Sequence, residues 1–154
     1  MTVPNSEKEL VTHLVEQEED ESRVLAAIPK LTSAGLHLFC CSYNWDSDVL
    51  PLLRALDLPQ CDRATALAIY WLAEPDEYAG RESVSNWARQ HFEVFKKAEA
   101  RLTADDFINR EIIFNVRAEL GGIDEYWDRI AKNPNIPDAL KPVKRGCRGG
   151  LETQ

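Results

Sequence analysis

Strand-like alternation is missing from this sequence, as are long apolar runs, paired cysteine spacings and any surplus of basic residues. Each absence removes a class of protein. With no period-two segment dense in Val, Ile and Thr, nothing reads as a β-strand. The longest stretch free of Asp, Glu, Lys and Arg is the fourteen residues 32–45, and Ser33, Gly35 and Ser42 interrupt it. Such a run is too short and too polar to cross a bilayer. The amino-terminal MTVPNSEKEL carries acids where a secretory signal would be basic and then apolar, so a cytoplasmic protein with no membrane contact is expected. Cys40, Cys41, Cys61 and Cys147 follow no framework spacing, and free thiols are expected. Lys and Arg number 18 against 26 Asp and Glu, for a net charge of -8. That balance excludes general affinity for phosphate backbones, and nucleic acid is not an expected partner.

What is present is helical. At 154 residues the chain is long enough to bury a core without a disulfide or metal. Ser6 and Glu9 have capping-box spacing ahead of Leu10, Val11 and Leu14. A second helix is expected over 22–34, kinked or divided at Pro29 and stopped by Gly35 in a left-handed conformation. A third covers 47–57, where Pro51 requires the first turn. The segment 62–74, capped by Asp62, is apolar around most of its circumference, the pattern of a central helix surrounded by others. Between residues 82 and 102, Val84, Trp87, Ala88, His91, Phe92, Phe95, Ala98 and Leu102 share one helical face. His91 on that stripe reads as a hydrogen-bonded core histidine. A helix from Thr103 to Leu120 is then expected, with Ile108, Ile112, Ile113, Val116 and Leu120 inward and Gly121 and Gly122 ending it. A last helix covers 124–132. The fold class is all-α: a single compact bundle of about six to seven helices over residues 1–140.

Residues 1–31 and 46–82 together carry a charge of -9, whereas 131–154 hold five bases and two acids. The end of the chain, residues 141–154, reads as a basic, disordered tail.

One short stretch concentrates unusual residues. "CCSYNWDSD", residues 40–48, joins two cysteines to Tyr43, Asn44, Trp45, Asp46 and Asp48. Tyr and Trp combine large apolar area with a polar tip and suit core edges and binding hot spots alike. Asn44 and Asp46 can cap the helix expected near Ser47, so the structural reading is a corner anchored by tryptophan. His37 and Cys40, three apart, offer two metal ligands from one helical turn. The remaining Cys41, Cys61, His91 and His13 show no paired spacing, and neither a metal nor a cofactor is expected.

The segment 37–74, "HLFCCSYNWDSDVLPLLRALDLPQCDRATALAIYWLAE", resembles the bacterial family called domain of unknown function 4274. Tyr43, Asn44, Trp45, Asp46, Cys61, Asp62, Thr65, Ala66 and Leu67 carry the resemblance. After Trp-Asp the family continues with an acid and a glycine, where this chain has Ser47 and Asp48. The resemblance implies a fold and a bacterial origin, and it brings no activity.

No nucleophile elbow, phosphate-cradling loop, His-Glu helix motif or paired carboxylate is found, so no catalytic residue is assigned and an enzyme is not the expected reading. Glu74, Asp76 and Glu77 follow the central helix and, with Asp46 and Asp48, are expected to form an acidic rim at one end of the bundle. The binding residues expected are therefore Tyr43, Asn44, Trp45, Asp46, Asp48, Glu74, Asp76 and Glu77. The expected function is that of a small acidic interaction protein that binds and neutralises a basic partner, as immunity proteins do with toxins. The rival readings are a small helical enzyme using acids between 46 and 77, and an adaptor that binds a peptide helix.

Overall fold

Two helices, joined near one end by an ion pair and near the other by stacked rings, form the centre of the molecule. The computed structural model describes residues 2–16 and 20–142, and among these the chain is all-α. The helices are α1 (Asn5–Glu16), α2 (Glu21–Ala27), α3 (Ser33–Ser42), α4 (Leu50–Asp57), α5 (Arg63–Leu72), α6 (Pro75–Tyr78), α7 (Arg89–Ala104), α8 (Val116–Leu120) and α9 (Asp124–Lys132). Short 3-10 turns cover Ile28–Lys30, Asn86–Ala88 and Asp138–Leu140. One-turn elements such as α6 and α8 account for the number above the six or seven expected. The tail expected from residue 141 lies, beyond Pro142, outside the described residues, as does Cys147.

The expected central helix is α5. Its Ala64, Ala66, Ala68, Ile69, Tyr70 and Trp71 are all buried. It runs antiparallel to α7: Arg63 pairs with Asp105 at 3.4 Å, and Tyr70 stacks on Phe95 with centroids 5.4 Å apart. Tyr70, Phe39 and Phe95 are among the largest fully buried side chains, and each contributes about 2 to 3 kcal/mol by leaving water. Helix α3 lies along α5, and α4 along α7, where the Arg101 guanidinium donates to the Leu56 carbonyl at 2.7 Å. Trp71 meets Trp127 of α9 edge-on at 5.6 Å and donates its indole N–H to the Leu140 carbonyl at 3.1 Å. Among the described residues no helix is long and apolar enough to cross a membrane.

The division at Pro29 is as expected, since α2 gives way there to a 3-10 turn. Gly35 does not stop that helix. It lies in the first turn of α3, whose cap is Thr32, and its N–H donates to Thr32 Oγ1 at 3.1 Å. Glycine leaves room there for the Glu7 side chain: a Cβ would fall 2.0 Å from Glu7 Oε1, which would have to move aside. The Glu7 carboxylate accepts the Thr32 N–H at 2.6 Å, which ties α1 to α3. Helix α1 begins at Asn5, ahead of the proposed Ser6 cap, and turns Val11 and Leu14 inward while Leu10 faces solvent. Pro51 does fall in the first turn of α4, and Asp62 does cap α5, accepting the Ala64 N–H at 2.8 Å.

Two longer readings are corrected. The helix expected over 82–102 begins at Arg89, and Trp87 is 87% exposed. The helix expected from Thr103 to Leu120 does not form. Helix α7 ends at Asp105 in the left-handed region (φ 51), and the chain stays irregular until α8. The cause is the second oxygen of Asp62, which accepts the N–H groups of Glu111 at 2.9 Å and Ile112 at 3.2 Å. These donors are thereby withdrawn from any helical ladder. Ile112, Phe114 and Val116 then turn inward by alternation, leaving Ile113 94% and Ile108 84% exposed.

Asp62 is fully buried and serves three backbone donors with two oxygens. Asn at that position offers one acceptor oxygen and turns an amide toward the remaining donors. Asp62→Asn is expected to cost about 2 to 3 kcal/mol in urea unfolding. Amide exchange should accelerate most at Glu111 and Ile112.

Candidate functional site

The stretch 43–48 is built from local hydrogen bonds. After α3 ends, Tyr43 adopts an extended backbone and its hydroxyl donates to the Asp48 carbonyl. Asn44 Oδ1 accepts the Asp46 N–H at 3.0 Å, and the Asn44 carbonyl accepts the Ser47 N–H at 3.1 Å. The first turn of α4 is served by Asp48, whose Oδ1 accepts the Leu50 N–H at 2.8 Å. Capping was expected of Asn44 and Asp46. Because α4 starts at Leu50 rather than Ser47, its cap position is Val49, which offers no side-chain acceptor; Asp48 serves the first turn from one residue earlier, Asn44 closes the preceding turn and Asp46 is exposed.

Trp45 is half-buried and joins this corner to α7. Its carbonyl accepts from His91 Nε2 at 3.0 Å, and its ring meets the imidazole edge-on at 5.5 Å. His91 is thus hydrogen-bonded and half-buried, close to the reading made of it. The Trp45 indole nitrogen is buried and, among the described residues, has no hydrogen-bond acceptor. The Tyr43 ring packs on Phe39 at 5.4 Å, and burial, reinforced by Asp48 and Glu21, pushes its phenol up to about 12.

Glu74, Asp76 and Glu77 lie in the connection from α5 to α7. Glu74 takes the left-handed conformation (φ 59), and Pro75 starts α6. Tyr78 packs against Phe92 and Phe95, both at 5.9 Å. Asp76 accepts from the Tyr126 hydroxyl at 3.4 Å and faces Arg129 at 3.7 Å. Burial and then Asp76 push the Tyr126 phenol up to about 12. His91 and Phe92 are consecutive residues of α7, so their contacts bring the Trp45 corner and α6 to the same end of the bundle. Asp48 and Glu74 nevertheless line different concavities. Tyr43, Asn44 and Asp48 share one of about 370 Å³ with Glu16 and Glu21, and Glu74 shares one of about 380 Å³ with Tyr126 and Trp127.

Two features had no place in the reading of the sequence. One is Trp87, in the 3-10 turn ahead of α7, whose position on an apolar period concealed its exposure. The other is a cavity of about 430 Å³ between α3, the end of α5 and α8. His37 lies on its wall with Nδ1 3.1 Å from Thr65 Oγ1 and Nε2 3.5 Å from Cys41 Sγ. The partner of His37 is therefore Cys41, one helical turn on, while Cys40 is buried in the core. Burial lowers the His37 pKa, against the smaller opposing effects of Asp62 and Glu119. Burial, with Glu119 adding to it, raises the Cys41 thiol to about 11, so it remains protonated at neutral pH. Cys61 is free as well, and among the described residues no group of three or more His, Cys, Asp and Glu could hold a metal ion.

The architecture among the described residues is that of a small helical domain. Residues 32–103, from the cap of α3 to the last turn of α7, match the model of the family described as Domain of unknown function (DUF4274). No curated protein and no solved structure matches the chain.

Trp45 separates packing from hydrogen bonding. Trp45→Ala is expected to cost about 3 kcal/mol through the cavity it leaves. Trp45→Phe should cost less than about 1.5 kcal/mol, because the group it removes is a buried N–H with no acceptor among the described residues. Paired urea titrations measure both. His37 sets a pH dependence whose sign follows from its lowered pKa. Below the ordinary value of 6.5 the unfolded chain takes up a proton that the folded protein resists. Stability should therefore be fully present above that pH and decline as pH falls below it. In His37→Asn, thermal midpoints measured from pH 7.5 down to about 5 should fall less steeply.

Proposed function

We propose that the chain is a protein-binding module for a basic partner, with the connection between α5 and α7 as its contact surface and Trp87 as its anchor. The observation that carries this reading is the 87% exposure of a tryptophan. Tryptophan is the residue type most enriched where binding energy concentrates, since one ring supplies a large contact area at little entropic cost. The surrounding chain is acidic on balance: Glu74, Asp76, Glu77 and Glu82 lie in the same connection against the single base Arg81, and Asp46 and Asp48 belong to the corner at the same end. The net charge of -8 acts in the same direction. An acidic surface speeds encounter with a basic protein and loses that advantage as salt rises. The packing of Tyr78 on Phe92 and Phe95 holds the connection in place, which reduces the ordering required on binding. The particular form inferred is a neutraliser of a basic protein toxin, for which acidity is the support. Catalysis by the acids between 46 and 77 finds less support, since Asp48 and Glu74 line separate concavities and Asp46, Asp76 and Glu77 line neither of these.

The test uses the purified product of the adjoining reading frame. Association and dissociation rates are measured across a salt series for the wild type, Trp87→Ala and the double variant Glu74→Gln with Glu77→Gln. Trp87→Ala should speed dissociation by about thirtyfold. The double variant should slow association and flatten its salt dependence. All three side chains are exposed, so stability should stay within about 0.5 kcal/mol of the wild type. Coincident rates for all three proteins would remove the connection as the contact surface.

A further inference from the structure

We infer that the cavity between α3, the end of α5 and α8 is a binding site for a small organic cation, an ammonium group carried on an apolar body. It is separate from the acidic connection and does not depend on the reading given to Trp87.

Three observations carry the inference. The first is shape: an open concavity of about 430 Å³ is bordered by Leu38, Leu72, Ile112, Phe114 and Leu120, an apolar surround of the kind that small ligands occupy. The second is charge. Glu119 is the one carboxylate on the wall, no lysine or arginine lines the cavity, and among the described residues none pairs with Glu119. Its charge also reaches the cavity wall, because it acts electrostatically on both His37 and Cys41. The third is the chemistry of the remaining polar groups. His37 and Cys41 are aligned one turn apart on α3, with the imidazole held by Thr65 and set edge-on to the Phe114 ring at 5.6 Å. Burial keeps the imidazole neutral and the thiol protonated at pH 7, so neither repels a cation.

An alkylammonium satisfies all three. Its head pairs with Glu119, a charge-assisted contact, and its chain covers Leu38, Leu72 and Leu120. A carboxylate of the same shape brings like charges together, and an alcohol forgoes the ionic contact. A metal ion is a poorer fit, since among the described residues no group of three or more His, Cys, Asp and Glu could hold one.

The experiment titrates the full-length, ¹⁵N-labelled protein with hexylammonium chloride, sodium hexanoate and hexanol, following amide shifts. Hexylammonium should bind with a Kd of roughly millimolar order, with shifts concentrated at Leu38, Cys41, Leu72 and Phe114. Hexanoate should give no saturable shift, and hexanol should bind about tenfold more weakly. Glu119→Gln, at an exposed position, should weaken hexylammonium about tenfold and abolish its advantage over hexanol. Leu38→Trp should fill the cavity and abolish binding of all three, with a dispersed amide spectrum confirming that the variant is folded. The inference is overturned if hexylammonium gives no saturable shift up to about 20 mM. Equal or tighter binding of hexanoate, unchanged affinity in Glu119→Gln, or shifts that map elsewhere would overturn it too.

Discussion

The buried carboxylate of Asp62 takes one backbone N–H from the first turn of α5 and two from residues 111 and 112, fifty positions further along the chain. One side chain thereby fixes where the central helix starts and what the chain does after α7. Because a buried ionised group is tolerated only when its lone pairs are engaged, the three donors and the carboxylate hold each other in place. The inward turn of Ile112, Phe114 and Val116 follows, and with it the wall that closes the cavity beside His37. Asp105 reinforces the bend, pairing with Arg63 at 3.4 Å and Arg110 at 2.9 Å.

The elements that could be read from the sequence are those whose signals are local. Asp62 at the head of an apolar run marks α5, Gly121 in the left-handed region ends α8, and 124–132 is helical over the range expected. The errors arose where a distant group took over. Thr103 to Leu120 carries helical spacing, yet the acceptor for its N–H groups is fifty residues away and cannot be seen in the segment itself. Gly35 looks like a helix stop, and its actual role is to admit Glu7 from another helix. For the site, Asn44 was legible as a residue that bonds nearby backbone N–H groups, whereas the role expected of Asp46 fell to Asp48 because it depended on where α4 begins. The pairing of His37 with Cys41 rather than Cys40 depended on which face α3 turns to the core.

The placement of Trp87 also bears on how charge and apolar surface divide the work of recognition. Exposed carboxylates steer, and their individual contributions to affinity are small and screened by salt. An exposed indole has no reach but gains substantially on contact. A surface that carries both can meet a partner quickly and hold it, and the connection between α5 and α7 combines them within fifteen residues, 74–88.

The segment between Asp62's two donors and α8 has a consequence for how this chain tolerates changes in length. Residues 111 and 112 are fastened at one end, and Val116 begins a helix at the other. An extended chain advances about 3.3 Å per residue and reverses its facing at each step. Loss of a single residue here would therefore exchange the positions of Ile113 and Phe114, putting the aromatic ring in water and an isoleucine against His37. Changes of chain length should therefore be purged from 112–116, where a shift by one residue reverses every facing.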